Sequence, residues 1–324
     1  MIRHPLRRGR RTVRYPRKPG IAWRAFSRAA DAAARYRNAA CNRLSQGNWR
    51  PHGSRTDHCP AIPGHRYRRV DRRRRFQYYA EHVSSNANGL IWSPNHLHIP
   101  FSLPVVLSTV EAGDLGPSGG PNPRRDEWLR ELGYTPSRTA LRKQVHSRRI
   151  VHPDPVTDYR DEADGTASDD PTLALAVTVA DCMPIAVHDP VTGAFAMLHS
   201  GWRGTGILAH ALELFQERWG SVGKDVHVLL GPCIGPCCYP VDEARAAEYS
   251  AEWGKAGVVR GGDGRVRLDL RAANREILKR YGVVHTTDVA LCTGCTQALG
   301  SYRRQGPDRF VRMVAVIAGS AHGQ

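Results

Sequence analysis

The sequence predicts an α+β fold, mixed β-sheets covered by helices, over residues 96–324, behind a basic extension at residues 1–95. Three observations carry this expectation. Apolar runs of strand length and amphipathic stretches of helix length follow one another without strict βαβ alternation. Two of those runs flank the five-residue turn segment Asp189–Gly193, which makes them the arms of a hairpin. The charge is also divided along the chain. Residues 1–80 hold 22 of the 47 Lys and Arg side chains but only three of the 30 acidic ones, and the remainder is nearly neutral.

Within the extension only Trp23–Tyr36 has the composition of a short helix, and its apolar positions are too few to bury much surface. A segment this charged does not offset an ordering entropy of ~1–2 kcal/mol per residue, so disorder is expected. It reads as a solvated tail, or as sequence upstream of the true start. Nucleic-acid binding by the tail is not expected, since no nucleic-acid fold motif accompanies the arginines. No run of eighteen apolar residues exists, and the apolar segment and cleavage site of a secretory signal are missing. The expected location is therefore the cytoplasm, away from membranes.

Beyond the extension, Leu103–Leu107 reads as a strand, residues 113–123 as a Gly/Pro loop, and Asp126–Leu132 as a helix that Gly133 ends. An acidic loop, Asp154–Asp170, shows no apolar pattern. The run Leu173–Val179 has the β-branched richness of a buried strand, Ala180-Asp181-Cys182 interrupts it, and Pro184–His188 and Ala194–Leu198 form the hairpin. After the glycine-bounded loop His199–Gly204, Ile207–Trp219 carries its apolar side chains on one helical face. Strand Asp225–Leu230, a helix capped by Asp242 and running to Trp253, helix Leu268–Tyr281, and strands Val289–Cys292 and Val311–Ile317 complete the order.

The hairpin supplies the first chemical inference. Cys182 and His199 stand at nearly equal distances from the turn centre, so they come together at the open end of the hairpin. His146, from a separate segment, is the natural third member. Two imidazoles and a thiolate form a tetrahedral zinc set with one position left for water, and equally a thiolate–imidazole nucleophile system. Of the remaining cysteines, Cys292-Thr-Gly-Cys295 has the spacing of a zinc knuckle or a redox pair. The second C-x-x-C of a zinc ribbon is missing: Cys233 and the adjacent Cys237-Cys238 lie more than fifty residues upstream. Buried, inert thiols are the expectation there.

Six blocks then occur in order: Lys143-Gln-Val-His146, Thr178–Pro184, His199-Ser-Gly-Trp-Arg-Gly204, Gly231–Tyr239, Leu268–Asn274, and Cys292–Cys295 followed by Ser301–Arg304. This set resembles the YfiH family, also called the laccase-domain or polyphenol-oxidase-like family, across about residues 100–318. The resemblance implies a fold similar to Cys–His toxin deamidase domains and a catalytic and metal-ligand trio at His146, Cys182 and His199. It implies purine nucleoside phosphorylase activity on adenosine, inosine, guanosine and methylthioadenosine, with inorganic phosphate as co-substrate, and adenosine deaminase activity. Zinc is the implied metal and copper the second choice. Copper-dependent phenol oxidation (laccase) and the editing of peptidoglycan precursors are the alternative activities attached to the family.

Chemistry ranks these readings. A multicopper oxidase needs many histidines in paired His-x-His motifs, and the one such pair, His96-Leu-His98, precedes the resemblance. Deamination needs an acidified water and a general acid/base, for which Asp164 and Asp181 are the nearest candidates. Phosphorolysis needs guanidinium groups for the anion, and Arg203, Arg303 and Arg125 are the candidates. Three positions depart from the family pattern: Ser147 stands in place of Gly, Ser200 in place of Ala, and Arg124 in place of Asn before Arg125. The trio itself is intact.

Overall fold

The computed structural model describes residues 89–153 and 161–322. Residues 1–88 of the extension, with the Trp23–Tyr36 helix, Cys41 and Cys59, and residues 154–160 at the start of the acidic loop lie outside the described residues. One six-stranded sheet runs β1 (Ile91–Trp92), β2 (His96–Ile99), β3 (Val105–Ser108), β15 (Met313–Ala318), β7 (Ala174–Val179), β4 (Thr139–Ala140). The other runs β14 (His285–Asp288), β10 (His227–Leu230), β8 (Met183–His188), β9 (Phe195–Ser200), β6 (Gly165–Ser168), β5 (Ile150–Val151). Most neighbours are antiparallel, but β4 with β7, β5 with β6 and β10 with β14 are parallel, so both sheets are mixed. A smaller sheet joins β11 (Pro240–Val241), β13 (Val266–Leu268) and β12 (Val258–Arg260).

Alternation along the strands sorts the side chains into layers. Leu175, Val177 and Val179 of β7 and Met313, Ala315 and Ile317 of β15 face Phe195 and Met197 of β9, forming the core between the two large sheets. The alternate residues Ala174, Ala176, Val314 and Val316 instead pack under Trp128 and Leu129 of helix α1 (Pro123–Glu131). On the other side, Met183, Ile185, Val187 and Leu198 meet Ile207, Leu208, Ala211 and Phe215 of α2 (Ile207–Trp219). The same core takes in Tyr249 of α3 (Glu243–Trp253) and Ile277 of α4 (Leu270–Arg280). The layers are helix, sheet, sheet, helices, the mixed α+β architecture expected. Among the described residues no helix is long and apolar enough to cross a membrane.

Helices α2 and α3 occupy the predicted spans, the second capped by Asp242 accepting from the Arg245 N–H at 2.7 Å. Three readings need correction. The folded body includes Ile91–Trp92, paired with Leu97 and His98, so a boundary at residue 95 falls inside a hairpin. Strand β6 lies within the acidic loop; Gly165-Thr-Ala-Ser168 shows no apolar pattern because it is hidden between β5 and β9, where small residues suffice. Strand β14 ends at Asp288, ahead of the predicted Val289–Cys292, because Val289 turns into the inter-sheet core.

Leu175 is fully buried between the sheets, whereas Val191 at the hairpin turn is 76% exposed. Leu175→Ala should cost about 2–5 kcal/mol and Val191→Ala less than about 0.5 kcal/mol, read as shifts in the denaturant midpoint.

Candidate active site

Two segments cross from one large sheet to the other at the same rim: residues 141–149 between β4 and β5, and residues 180–182 between β7 and β8. Both turn sharply. His146 and Asp181 adopt φ of 61° and 85°, the left-handed region that L-residues rarely enter. The β8–β9 register pairs Pro184 with His199 and Met183 with Ser200, which sets Cys182 beside the start of the loop after β9. His146, Cys182 and His199 thus converge, and their ligand atoms all lie within 4.8 Å of one another. The two rings meet edge to face at 4.9 Å between centroids. A Cβ at Gly201 would stand 2.8 Å from the Cys182 sulfur and 3.3 Å from the His146 ring, so glycine is the residue that fits there.

Asp164, at the head of β6, holds the assembly together. It is wholly buried, and its carboxylate accepts from the N–H groups of Val145 (3.2 Å), His146 (2.9 Å) and Ser147 (2.7 Å). The Ser147 hydroxyl donates to it at 2.7 Å and His199 Nδ1 at 2.8 Å. Its own carbonyl accepts the His199 N–H at 2.7 Å. With Nδ1 committed to a carboxylate, His199 presents Nε2 to Cys182, the orientation typical of a metal-bound histidine.

Burial opposes ionisation of Cys182, but the charged His199 and hydrogen bonds from His146 and His199 outweigh it and bring the thiol down to about 6. Burial likewise opposes a charged His199, and there the Cys182 sulfur and the Asp164 carboxylate prevail, raising it to about 10. The result is a thiolate–imidazolium pair. Asp164 is held below the usual carboxylate range, its burial offset by His199 and Ser147.

The trio opens into a cavity of about 510 Å³, walled by Trp202, Tyr239, Tyr302 and Phe310 and by Arg245, Arg303 and Arg312. The sequence profile of the family described as multi-copper polyphenol oxidoreductase laccase matches residues 122–320. The chain belongs to this family. It is 33% identical over 215 residues to the purine nucleoside phosphorylase YlmD of Geobacillus stearothermophilus, covering 60% of this chain and 76% of that protein. The purine nucleoside phosphorylase of Deinococcus radiodurans is 31% identical over 243 residues, 70% of this chain and 92% of its own. Two solved structures share the fold with TM-scores of 0.64 over 72% of this chain. They are the hypothetical protein YfiH of Bacillus licheniformis, 25% identical and fully covered (100%), and YlmD of G. stearothermophilus, 26% identical and 99% covered.

Within this laccase-domain chain the arginines separate into scaffold and wall. Arg125 is buried and donates to the carbonyls of Leu115 (3.3 Å), Pro117 (2.9 Å) and Gly120 (2.7 Å). It ties down the Gly/Pro loop and is not among the residues lining the cavity. Arg203 is exposed, stacked at 5.0 Å on Trp202, and also off the cavity wall. Arg303 does reach the wall, its guanidinium 5.3 Å from the Tyr239 ring and its backbone N–H donating to Asp181 at 2.7 Å. Arg245, three residues after the Asp242 cap, was not indicated by its sequence context; its guanidinium lies 4.8 Å over Trp202 inside the cavity.

Neither aspartate suits the acid/base role. Asp164 spends both oxygens on the scaffold, and those of Asp181 accept from Thr293 Oγ1 at 2.6 Å and the Arg303 N–H. Ser147 adds a hydroxyl to the Asp164 cluster. Because the folded pKa of Asp164 is depressed, its contribution is complete above the ordinary carboxylate value and fades as pH falls through the lower one. Asp164→Asn should therefore cost about 3–5 kcal/mol at neutral pH. Melting curves taken from neutral down to about pH 3 should show the gap to wild type closing.

Proposed function

We propose that this chain is a purine nucleoside phosphorylase, with adenosine, inosine, guanosine and methylthioadenosine as the substrate set and hydrolytic deamination of adenosine as a second activity. The observation that carries the reading is the juxtaposition of the His146–Cys182–His199 trio with a cavity whose walls are both aromatic and cationic. Its volume of about 510 Å³ suits a nucleoside. Trp202, Tyr239 and Phe310 offer faces for a purine, and Arg245 and Arg303 offer planar donors for phosphate oxygens. Burial, followed by the Cys182 charge, pushes the Tyr239 phenol up to about 12, so its hydroxyl stays a neutral donor.

In phosphorolysis a phosphate oxygen bonds to the ribose C1′ as the C1′–N9 bond breaks, and the base departs with the electron pair and takes up a proton. The transition state gathers positive charge on the sugar, so an anion held beneath it by Arg245 and Arg303 stabilises that charge. The named relatives support this reaction.

The donor set fits zinc: one thiolate, two imidazoles, and a carboxylate behind His199 that fixes its tautomer. His146, Cys182 and His199 would hold a zinc ion, which would supply the Lewis acidity that hydrolytic deamination requires. Copper suits the same donor types. A multicopper oxidase needs a larger histidine set, and among the described residues the other ligand cluster is made of cysteines alone.

Adenosine incubated with phosphate should give adenine and ribose 1-phosphate, and inosine formed without phosphate reports deamination. Cys182→Ala should lose the zinc of the trio and lower kcat/KM by about a hundredfold or more. Arg245→Met should raise the KM for phosphate about tenfold. Wild-type turnover by the Cys182 variant would overturn the assignment of the trio.

A further inference from the structure

We propose that Cys237, Cys238, Cys292 and Cys295 form a second metal centre, a closed four-sulfur site for one zinc ion that braces the cavity wall. The inference stands on these four residues and does not depend on the activity assigned to the trio. Sequence spacing favours inert buried thiols here, yet Cys237 and Cys295 are exposed and the four sulfurs lie within 4.8 Å of one another. Cys295 Sγ stands 3.5 Å from that of Cys237 and 3.4 Å from that of Cys238. A tetrahedron with Zn–S bonds of ~2.3 Å has S···S edges of ~3.8 Å, so only small adjustments seat the ion. Four sulfurs gathered this closely are placed to share one cation, and no disulfide is formed among them.

The local backbone is shaped for this convergence. Adjacent residues rarely aim at one point, but the turn closed by the Cys238 N–H on the Gly235 carbonyl, at 2.9 Å, brings Cys237 and Cys238 to the same place. The Cys292–Cys295 segment closes likewise, with the Cys295 N–H on the Cys292 carbonyl at 3.1 Å. The Gly235 N–H donates to Cys292 Sγ at 3.2 Å, the kind of bond that stabilises a metal-bound thiolate. A Cβ at Gly294 would come within 2.7 Å of Cys238 Cβ and 2.8 Å of its sulfur, so glycine lets the two loops close. All four ligands are soft and come from the protein, leaving no open position, which is the form of a structural rather than a catalytic zinc.

Both loops reach the cavity. Ile234 and Tyr239 flank one cysteine pair and line the wall. Beside the other pair, Thr293 donates to Asp181, and Arg304 donates to the carbonyls of Thr293, Gly294, Thr296 and Leu299. The ion would lock the Tyr239 and Arg303 side of the cavity without touching substrate.

The test counts zinc by plasma mass spectrometry in Cys182→Ala protein, which lacks the sulfur ligand of the trio. One tightly held equivalent should remain, and adding Cys292→Ser and Cys295→Ser should abolish it. Cobalt exchange into the Cys182→Ala protein covers the case in which those serine variants do not fold. A four-sulfur tetrahedral site then shows intense thiolate-to-cobalt charge transfer, and Cys237→Ser alone should weaken it. Cys182→Ala protein that retains no zinc after reconstitution and gives no such band would overturn the proposal. So would a disulfide among these four cysteines, mapped in freshly isolated protein.

Discussion

A carboxylate sealed from water must be fully hydrogen-bonded or give up its charge, and Asp164 meets that demand by drawing two separate segments onto itself. Three successive N–H groups of the 145–147 turn point at it, which is what bends His146 into the left-handed region. The same group fixes the orientation of the His199 ring and favours its charged form, which in turn favours the Cys182 thiolate. The position of one histidine, the ring orientation of the other and the reactivity of the sulfur therefore share a single cause. That cause lies outside the cavity.

Much of the framework was legible because burial leaves a pattern in the letters. The one-sided faces of α2 and α3, the unbroken run of β7 and the turn at Asp189–Gly193 all follow from periodicity and local capping. Placing Cys182 near His199 required only hairpin arithmetic, and the structure brings them together. What periodicity misses is burial by small residues, as in β6, and pairing at edges, as in the polar strand β14. Asp164 reads from the sequence as an acid/base candidate in an acidic loop and not as a buried anchor, since nothing in its neighbours announces that the strand after it is interior.

The guanidinium groups teach a related lesson. Arg304 and Arg271 sit in the six sequence blocks, and Arg125 ahead of them; Arg271 donates to the Gly231 carbonyl at 2.9 Å. Each uses its planar fork to gather backbone carbonyls from loops that have no regular partners. A sequence shows that an arginine is present, whereas its exposure decides whether the charge is offered to a ligand. Arg245 and Arg303 pass that test by lying against aromatic rings at the cavity surface.

The rim location carries a mechanical consequence. His146 hangs from a segment leaving the first large sheet, while His199 belongs to a strand of the second. Because Asp164, at the head of a strand of the second sheet, also holds the His146 N–H, the spacing of the two imidazoles is fixed at the rim by one carboxylate and not by the register of one sheet against the other.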